Sequence, residues 1–200
     1  MNANKPVIGI TGGLATGKST VAEILKKEFE YYISADEVAG NIVKKGKPAL
    51  KKLVKVFGRT VLAKGGSLDR KQLAGIIFNN YKKRKLLEKI LHPLVIAEIK
   101  RYITQFKIKN RIIIFEAPLL FEARMEKMAD IIVVVASSKK KQVQRFIKTG
   151  HSRKDSLLRI KAQLPLKEKI KKADIVLYNN GSLKELKKNV KSLAKIIKEL

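Results

Sequence analysis

The sequence predicts an α/β fold: a parallel sheet of five strands with helices on both faces and a helical insertion after the second strand. Three observations carry this expectation. Short apolar runs, VIGIT at Val7–Thr11, RIIIF at Arg111–Phe115 and DIIVVV at Asp130–Val135, read as strands covered on both faces, since a half-wet strand would alternate. Helical spacing separates the runs, and strands alternating with helices build parallel sheets through right-handed crossovers. Residues 36–109 are helical in pattern almost throughout, too long for one crossover, so part of that stretch is an inserted lobe.

In chain order, Val7–Thr11 is the first strand, followed by glycines and a helix from Lys18 to about Phe29. Tyr31–Ser34 is the second strand. In the insertion, Val38/Ile42, Leu50/Leu53/Val54/Phe57 and Leu73/Ile76/Ile77 recur at the three-and-four spacing of a helix face. Asp69 suits the N-cap of a helix starting at Arg70, where a short carboxylate accepts from first-turn amides. A longer helix spans Tyr81–Phe106, with an interruption or bend expected near His92-Pro93 because proline removes an amide and crowds the preceding turn. After the third and fourth strands come helices at about 139–148 and 153–163 around a basic turn. Ile175–Tyr178 is the last strand and Leu183–Leu200 a terminal amphipathic helix.

The bulk properties narrow the class. Two hundred residues suffice for one domain with a sizeable core, and 45% hydrophobic content is that of a folded chain. The absence of cysteine excludes disulfides and thiolate metal sites and fits a reducing compartment. Met1–Lys5 leads straight into a strand without a signal-peptide pattern, and no run of about 18 apolar residues exists, so a soluble cytoplasmic protein is expected. The 45 Lys and Arg against 17 Asp and Glu give a net charge of +28, which attracts phosphorylated metabolites, nucleic acid and anionic lipid alike. The basic residues run along nearly the whole length, and only nine of them are Arg, the residue whose fork favours base and phosphate recognition. The charge therefore reads as a lysine bias with weak nonspecific polyanion binding, and neither a specific nucleic acid nor a membrane is expected as partner.

Gly12-Gly13-Leu14-Ala15-Thr16-Gly17-Lys18-Ser19-Thr20 fits G-x-x-x-x-G-K-[ST] between a strand and a helix, the context this phosphate-binding loop (P-loop) requires. Its glycines let backbone amides turn toward phosphate oxygens, and the helix N-terminus adds partial positive charge. Gly13, Ala15, Thr16, Gly17, Lys18, Ser19 and Thr20 are the expected nucleotide contacts. Lys18 would reach the β- and γ-phosphates and Ser19 would hold Mg²⁺. Asp36, just past the second strand, suits a base for an attacking hydroxyl, a magnesium support or a helix N-cap. Glu116 ends the third strand, where an acid supports Mg²⁺ and its waters. Glu122 also reads as an exposed helix-start carboxylate. Arg145, with Lys148 and His151, falls in what reads as a polar turn, a cationic segment able to close over ATP. On pattern alone, Arg70 and His92 read as structural.

Taken together, TGGLATGKST, SADEVA, LDRKQLA, LEKILHPLV, EAPLLFE, Gln142 with Arg145, Arg159-Ile160 with Gln163, and Ala173-Asp174 with Asn179-Asn180-Gly181 resemble the dephospho-CoA kinase family. The resemblance runs from Ile8 to about Leu193. It implies transfer of the ATP γ-phosphoryl group to the ribose 3′-hydroxyl of dephospho-CoA, the final step of coenzyme A synthesis. It implies a single P-loop kinase domain with three parts: a nucleotide core (about 6–35, 110–138 and 164–200), a CoA-binding lobe (about 36–109) and a helical lid (about 139–163). Asp36 would be the general base, Lys18 and Arg145 would act on the phosphates, and Arg70, His92 and Glu122 would belong with Asp36 to the acceptor side.

Three positions depart from the family pattern. Ser34 stands where a first Asp is usual, leaving Asp36 as the surviving carboxylate. Glu116 replaces a common Asp at the cost of one methylene. The stretch Lys148-Thr149-Gly150-His151 lacks a second lid Arg, and a lysine offers a point charge without a fork. The competing readings are another small-molecule P-loop kinase, acting on a nucleoside or nucleotide, a nucleic-acid-stimulated ATPase, and a binding protein with a decayed site.

Overall fold

The computed structural model describes residues 5–78 and 80–200. The chain forms two compact units, one from the residues up to Ser34 with Tyr102–Leu200, the other from Ala35–Arg101.

The first unit is built on five parallel strands, β1 (Val7–Gly12), β2 (Tyr31–Ser34), β3 (Ile113–Glu116), β4 (Ile131–Ala136) and β5 (Ile175–Tyr178), in the order β2-β3-β1-β4-β5. Every residue of β1 is buried, as befits a central strand with helix or loop on each face. Side chains two apart share a face. Ile8 and Ile10 therefore point with Ile114, Val133 and Val135 into a cluster that α1 (Lys18–Glu28) and α9 (Leu183–Lys198) close through Val21, Leu25, Leu186, Val190, Leu193 and Ile197. At Gly9, a Cβ would lie 3.0 Å from both Leu120 Cδ1 and Ala129 Cβ, so the segment after β3 packs close against β1.

The order of the strands decides where a ligand can sit. From β1 the chain moves outward through α1 to β2, then returns to place β3 against β1, and later adds β4 on the other side of β1. Loops leaving β1 and its neighbours in opposite directions open a crevice at the carboxyl end of β1.

Between β4 and β5 lie α6 (Lys139–Lys148), α7 (Arg153–Lys161) and α8 (Leu166–Lys171). The helix expected to reach residue 163 ends at Lys161, and α8 has no counterpart among the expected elements. Six residues reading LKEKIK are too short and too uniformly basic to show a helical period.

The second unit holds α2 (Ala35–Ile42), α3 (Pro48–Phe57), α4 (Arg70–Phe78) and most of α5 (Tyr81–Lys107). Its core joins Val43, Ala49 and Leu53 to Phe57, Leu68, Leu87, Leu91 and Leu94. Asp69 caps α4 as expected, its Oδ1 accepting from the Gln72 amide at 2.9 Å. A small antiparallel bridge, Leu62 to Leu68, interrupts the helical pattern expected of the whole segment. The long helix expected over Tyr81–Phe106 is present as α5, and of the interruption or bend expected at His92-Pro93 the interruption is absent, Pro93 lying inside one helix. Val95, Ile99 and Ile103, four residues apart, are buried, and burial along that stripe offsets the lost hydrogen bond. No helix among the described residues is long and apolar enough to cross a membrane.

Candidate functional site

At the carboxyl end of β1 the backbone must turn sharply while lying close to β4. Gly12 makes this possible, because a Cβ there would stand 2.3 Å from the Val135 carbonyl oxygen. Ala15 adopts a left-handed conformation at φ +49°, and Gly17 follows at φ +99° as the residue preceding α1. No side chain caps α1 among the described residues, and its first turn holds no acid. Its first amides are thus left for a ligand, and the helix dipole favours an anion there.

The side chains of the loop fit that purpose. Thr16 is buried and its hydroxyl donates to the Gly13 carbonyl at 3.1 Å, closing the loop on itself. The Lys18 ammonium lies over the loop, donating to the Gly13 carbonyl at 2.7 Å and the Gly12 carbonyl at 3.4 Å. Ser19 is exposed at the start of α1. Glu116, the last residue of β3, is in register with Ile10 of β1 and with Ser34 of β2, at the carboxyl ends of the three strands. Ser34, in the place of a carboxylate, is buried. Magnesium needs few protein ligands when phosphates supply the rest, and the exposed Ser19 hydroxyl and the Glu116 carboxylate are a donor set of that kind.

A second layer holds the loop from the side of β4 and β5. Asn179, just past β5 and buried, donates through Nδ2 to the Thr16 carbonyl at 2.9 Å. Its backbone carbonyl and its Oδ1 accept from Arg145 Nη2 at 3.0 and 3.2 Å, and Arg145 Nη1 donates to the Ser137 hydroxyl at 3.3 Å. Gln142, also buried, donates to the Ser137 carbonyl at 2.8 Å, with its Oε1 2.9 Å from where a Cβ on Gly13 would be.

These positions revise the expected turn. Arg145 lies within α6, one helical turn from its end, and the turn proper is Thr149–Ser152. His151 stacks on Phe146 with ring centroids 4.2 Å apart, and the Arg159 guanidinium lies 5.3 Å from the same ring. Phe146 of α6 thus takes His151 from the turn and Arg159 from α7. Arg145 is the member of the expected trio that the structure ties to the phosphate loop.

Glu122 is also not the exposed helix-start carboxylate of one reading. Its Oε1 accepts from the Leu164 amide at 2.8 Å and from the Lys169 ammonium at 2.9 Å. Glu122 Oε2, also buried, has no hydrogen-bond partner among the described residues.

Asp36, Arg70 and His92 belong to the second unit. Asp36 stands in the first turn of α2, directly after β2, with Glu37 beside it. Arg70 opens α4, and its Nη2 is 2.8 Å from where a Cβ on Gly40 would be, so its guanidinium rests against the helix that carries Asp36. His92 is half-buried midway along α5.

The sequence alone points to no role for Asn179, Gln142 or Lys169. Asn179 and Gln142 lie in segments that carry the family resemblance; Asn179 follows a strand end, whereas Gln142 is one of two glutamines inside a basic helix. Lys169 carries no such mark, being one lysine in a run of them.

Comparison with known proteins agrees with this geometry. The family model for dephospho-CoA kinase matches residues 6–185. A dephospho-CoA kinase from Carboxydothermus hydrogenoformans is 40% identical over 187 residues, which is 92% of this chain and 91% of that protein. The crystal structure of a Thermus thermophilus protein superposes with a TM-score of 0.78 at 32% identity, covering 97% of this chain and 98% of the other. A dephospho-CoA kinase from Campylobacter jejuni gives a TM-score of 0.67 at 28% identity, with 98% of each chain covered.

Proposed function

This chain belongs to the dephospho-CoA kinase family, and from that premise we propose how its residues divide the reaction. The reaction is ATP-dependent phosphorylation of the ribose 3′-hydroxyl of dephospho-CoA, giving coenzyme A. The observation that carries the assignment of roles is the uncapped start of α1 behind Gly12–Gly17, with Arg145 tied to that loop through Asn179.

The loop amides and the first amides of α1 bind the phosphates of ATP. Lys18 exchanges the carbonyls of Gly12 and Gly13 for β- and γ-phosphate oxygens, a swap of neutral acceptors for charged ones. Ser19 and Glu116 are the residues that would hold Mg²⁺, which when bound neutralises charge on the phosphates. Asp36 accepts the proton of the ribose 3′-hydroxyl as that oxygen bonds to the γ-phosphorus in line. The bond from phosphorus to the bridging oxygen breaks, and ADP leaves with the electron pair. Arg145 meets the charge on the phosphoryl group in flight. With Ser34 in place of a first carboxylate, Asp36 carries the base role alone.

Ala35–Arg101 serves as the acceptor lobe, with Arg70 and His92 contacting dephospho-CoA. The contact of Arg70 with Gly40 supports this, since it keeps a cation on the helix of Asp36. The α6–α7 pair serves as the lid. A cytoplasmic location belongs to the same reading, and activity sedimenting with membranes on cell fractionation would count against it.

A coupled ADP-release assay with Mg·ATP, run with and without dephospho-CoA and followed by mass analysis of the product, tests the whole. Acceptor-dependent ADP release with one phosphate added at the 3′ position is expected. Release indifferent to dephospho-CoA would overturn the choice of acceptor.

A further inference from the structure

Lys169 of α8 is the one charged residue in the buried class among the described residues, and it is wholly buried. Its ammonium has three acceptors: Glu122 Oε1 at 2.9 Å, the Pro118 carbonyl at 2.9 Å and the Gly12 carbonyl at 3.5 Å. Three acceptors match the three donors of a charged lysine, so each N–H of the ammonium has a partner. Gly12 is also the residue whose carbonyl Lys18 touches, at 3.4 Å. The two lysines meet on one carbonyl of the phosphate loop.

The other end of the network reaches the root of the lid. Glu122 Oε1 accepts the Leu164 amide, and Leu164 stands between the end of α7 at Lys161 and the start of α8 at Leu166. The opposite root is held separately: the Ser138 amide donates to Asn180 Oδ1 at 2.9 Å, and the Ser137 hydroxyl to the Asn179 carbonyl at 3.0 Å. Nothing in phosphoryl transfer calls for a buried ion pair behind the loop. Two buried charges also give stability little that apolar side chains of similar volume would not. The arrangement requires another reason.

We infer that Lys169 and Glu122 are positioning residues that tie the carboxyl-terminal root of the α6–α7 pair to the first carbonyl of the phosphate loop, so that nucleotide bound at the loop and Arg145 on α6 keep a common frame. This rests on the reading of α6–α7 as a lid and of Arg145 as its phosphate-facing cation. Lys169 carries no expected contact with substrate, and the Glu122 oxygen that it holds is the one that also accepts the Leu164 amide. When Lys18 leaves Gly12 for phosphate, Lys169 remains as the donor on that carbonyl, and the same ammonium holds the carboxylate on which Leu164 hangs.

The paired variant Lys169→Met/Glu122→Leu removes both charges at once, leaving no lone buried charge to unfold the chain. With the folded protein we expect a KM for ATP within about threefold of wild type and a kcat at least about tenfold lower, the pattern of misplaced rather than lost groups. A kcat within about twofold of wild type in the folded variant would overturn the inference. A second measurement needs no variant: amide hydrogen exchange of the wild-type chain, with and without a non-hydrolysable ATP analogue. The Leu164 amide should exchange at least about tenfold more slowly than that of Gly150 at the lid tip in both states. Equal rates would refute the anchor. Exchange uses no acceptor, so it remains decisive if dephospho-CoA proves not to be the substrate.

Discussion

The side-chain amide of Asn179 donates to the carbonyl of Thr16 at 2.9 Å, joining the loop after β5 to the phosphate loop after β1. The same side chain turns its oxygen to Arg145 at 3.2 Å. A carbonyl on one side and a guanidinium on the other dictate which way the amide points. One buried residue thus sets the distance between the phosphate loop and the cation of α6.

Asn179→Ala should therefore affect both stability and catalysis. Leaving the buried Thr16 carbonyl without that donor costs about 1–3 kcal/mol, read as a lower urea midpoint. Turnover should fall about tenfold, equivalent to roughly 1.4 kcal/mol in the barrier, because Arg145 loses one of its acceptors and drifts. Unchanged steady-state kinetics in the folded variant would show that Arg145 does not depend on Asn179.

Lys18 and Asp36 should separate binding from chemistry. Lys18→Ala should abolish most turnover and weaken ATP binding in calorimetry. Asp36→Asn should leave ATP binding nearly intact while lowering kcat by roughly 10²–10⁴-fold, the usual contribution of a general base. Near-normal turnover in Asp36→Asn would remove the base assignment.

The cluster between the sheet and the α1–α9 layer should dominate stability. Leu25 is wholly buried between α1, α9 and the sheet. Leu25→Ala should cost about 2–5 kcal/mol in the unfolding free energy, the range for a core leucine whose cavity collapses only in part. A loss below about 1 kcal/mol would mean that α9 closes over the gap.

Burial holds the Lys169 ammonium below its ordinary value of 10.5, with the charge of Glu122 and its hydrogen bond opposing the shift. The folded value lies below the unfolded one, so in the window between them the unfolded chain binds more protons and stability rises with pH. The contribution is complete above 10.5 and is lost as pH falls through the folded value. Urea unfolding of wild type and Lys169→Met, compared from pH 7 upward, should show the difference move in favour of wild type as pH approaches 10.5. A difference independent of pH would mean that burial does not disfavour the charge.

Much of the sheet was legible because β-branched runs such as Ile131–Ala136 carry their burial in their composition. The capping of α4 by Asp69 was legible for a similar reason, since cap and amide lie three residues apart. The phosphate loop was readable as a motif, since its chemistry sits in nine consecutive residues. The span of α5 across Pro93 was legible too, but its unbroken course there was not, because burial along the rest of the helix outweighs a local penalty. The helix at about 139–148 was legible with Arg145 inside it; that Arg145 turns to Ser137 and Asn179 was not, because those partners lie outside its own helix.

By itself, then, the sequence determined the succession of the five strands and of the helices other than α8, the phosphate loop and the resemblance that implied the reaction. These depend on residues close along the chain or on patterns spread along all of it. Only the tertiary structure decided that Asn179 joins Thr16 to Arg145, that Ser137 and Gln142 brace α6, and that Lys169, one lysine among many, is buried against Glu122 and Gly12. Apart from the Gln142–Ser137 bond, which spans five residues, these contacts join residues distant along the chain, and the cost of burying an unpaired polar group, a cost no local pattern records, favours their being made.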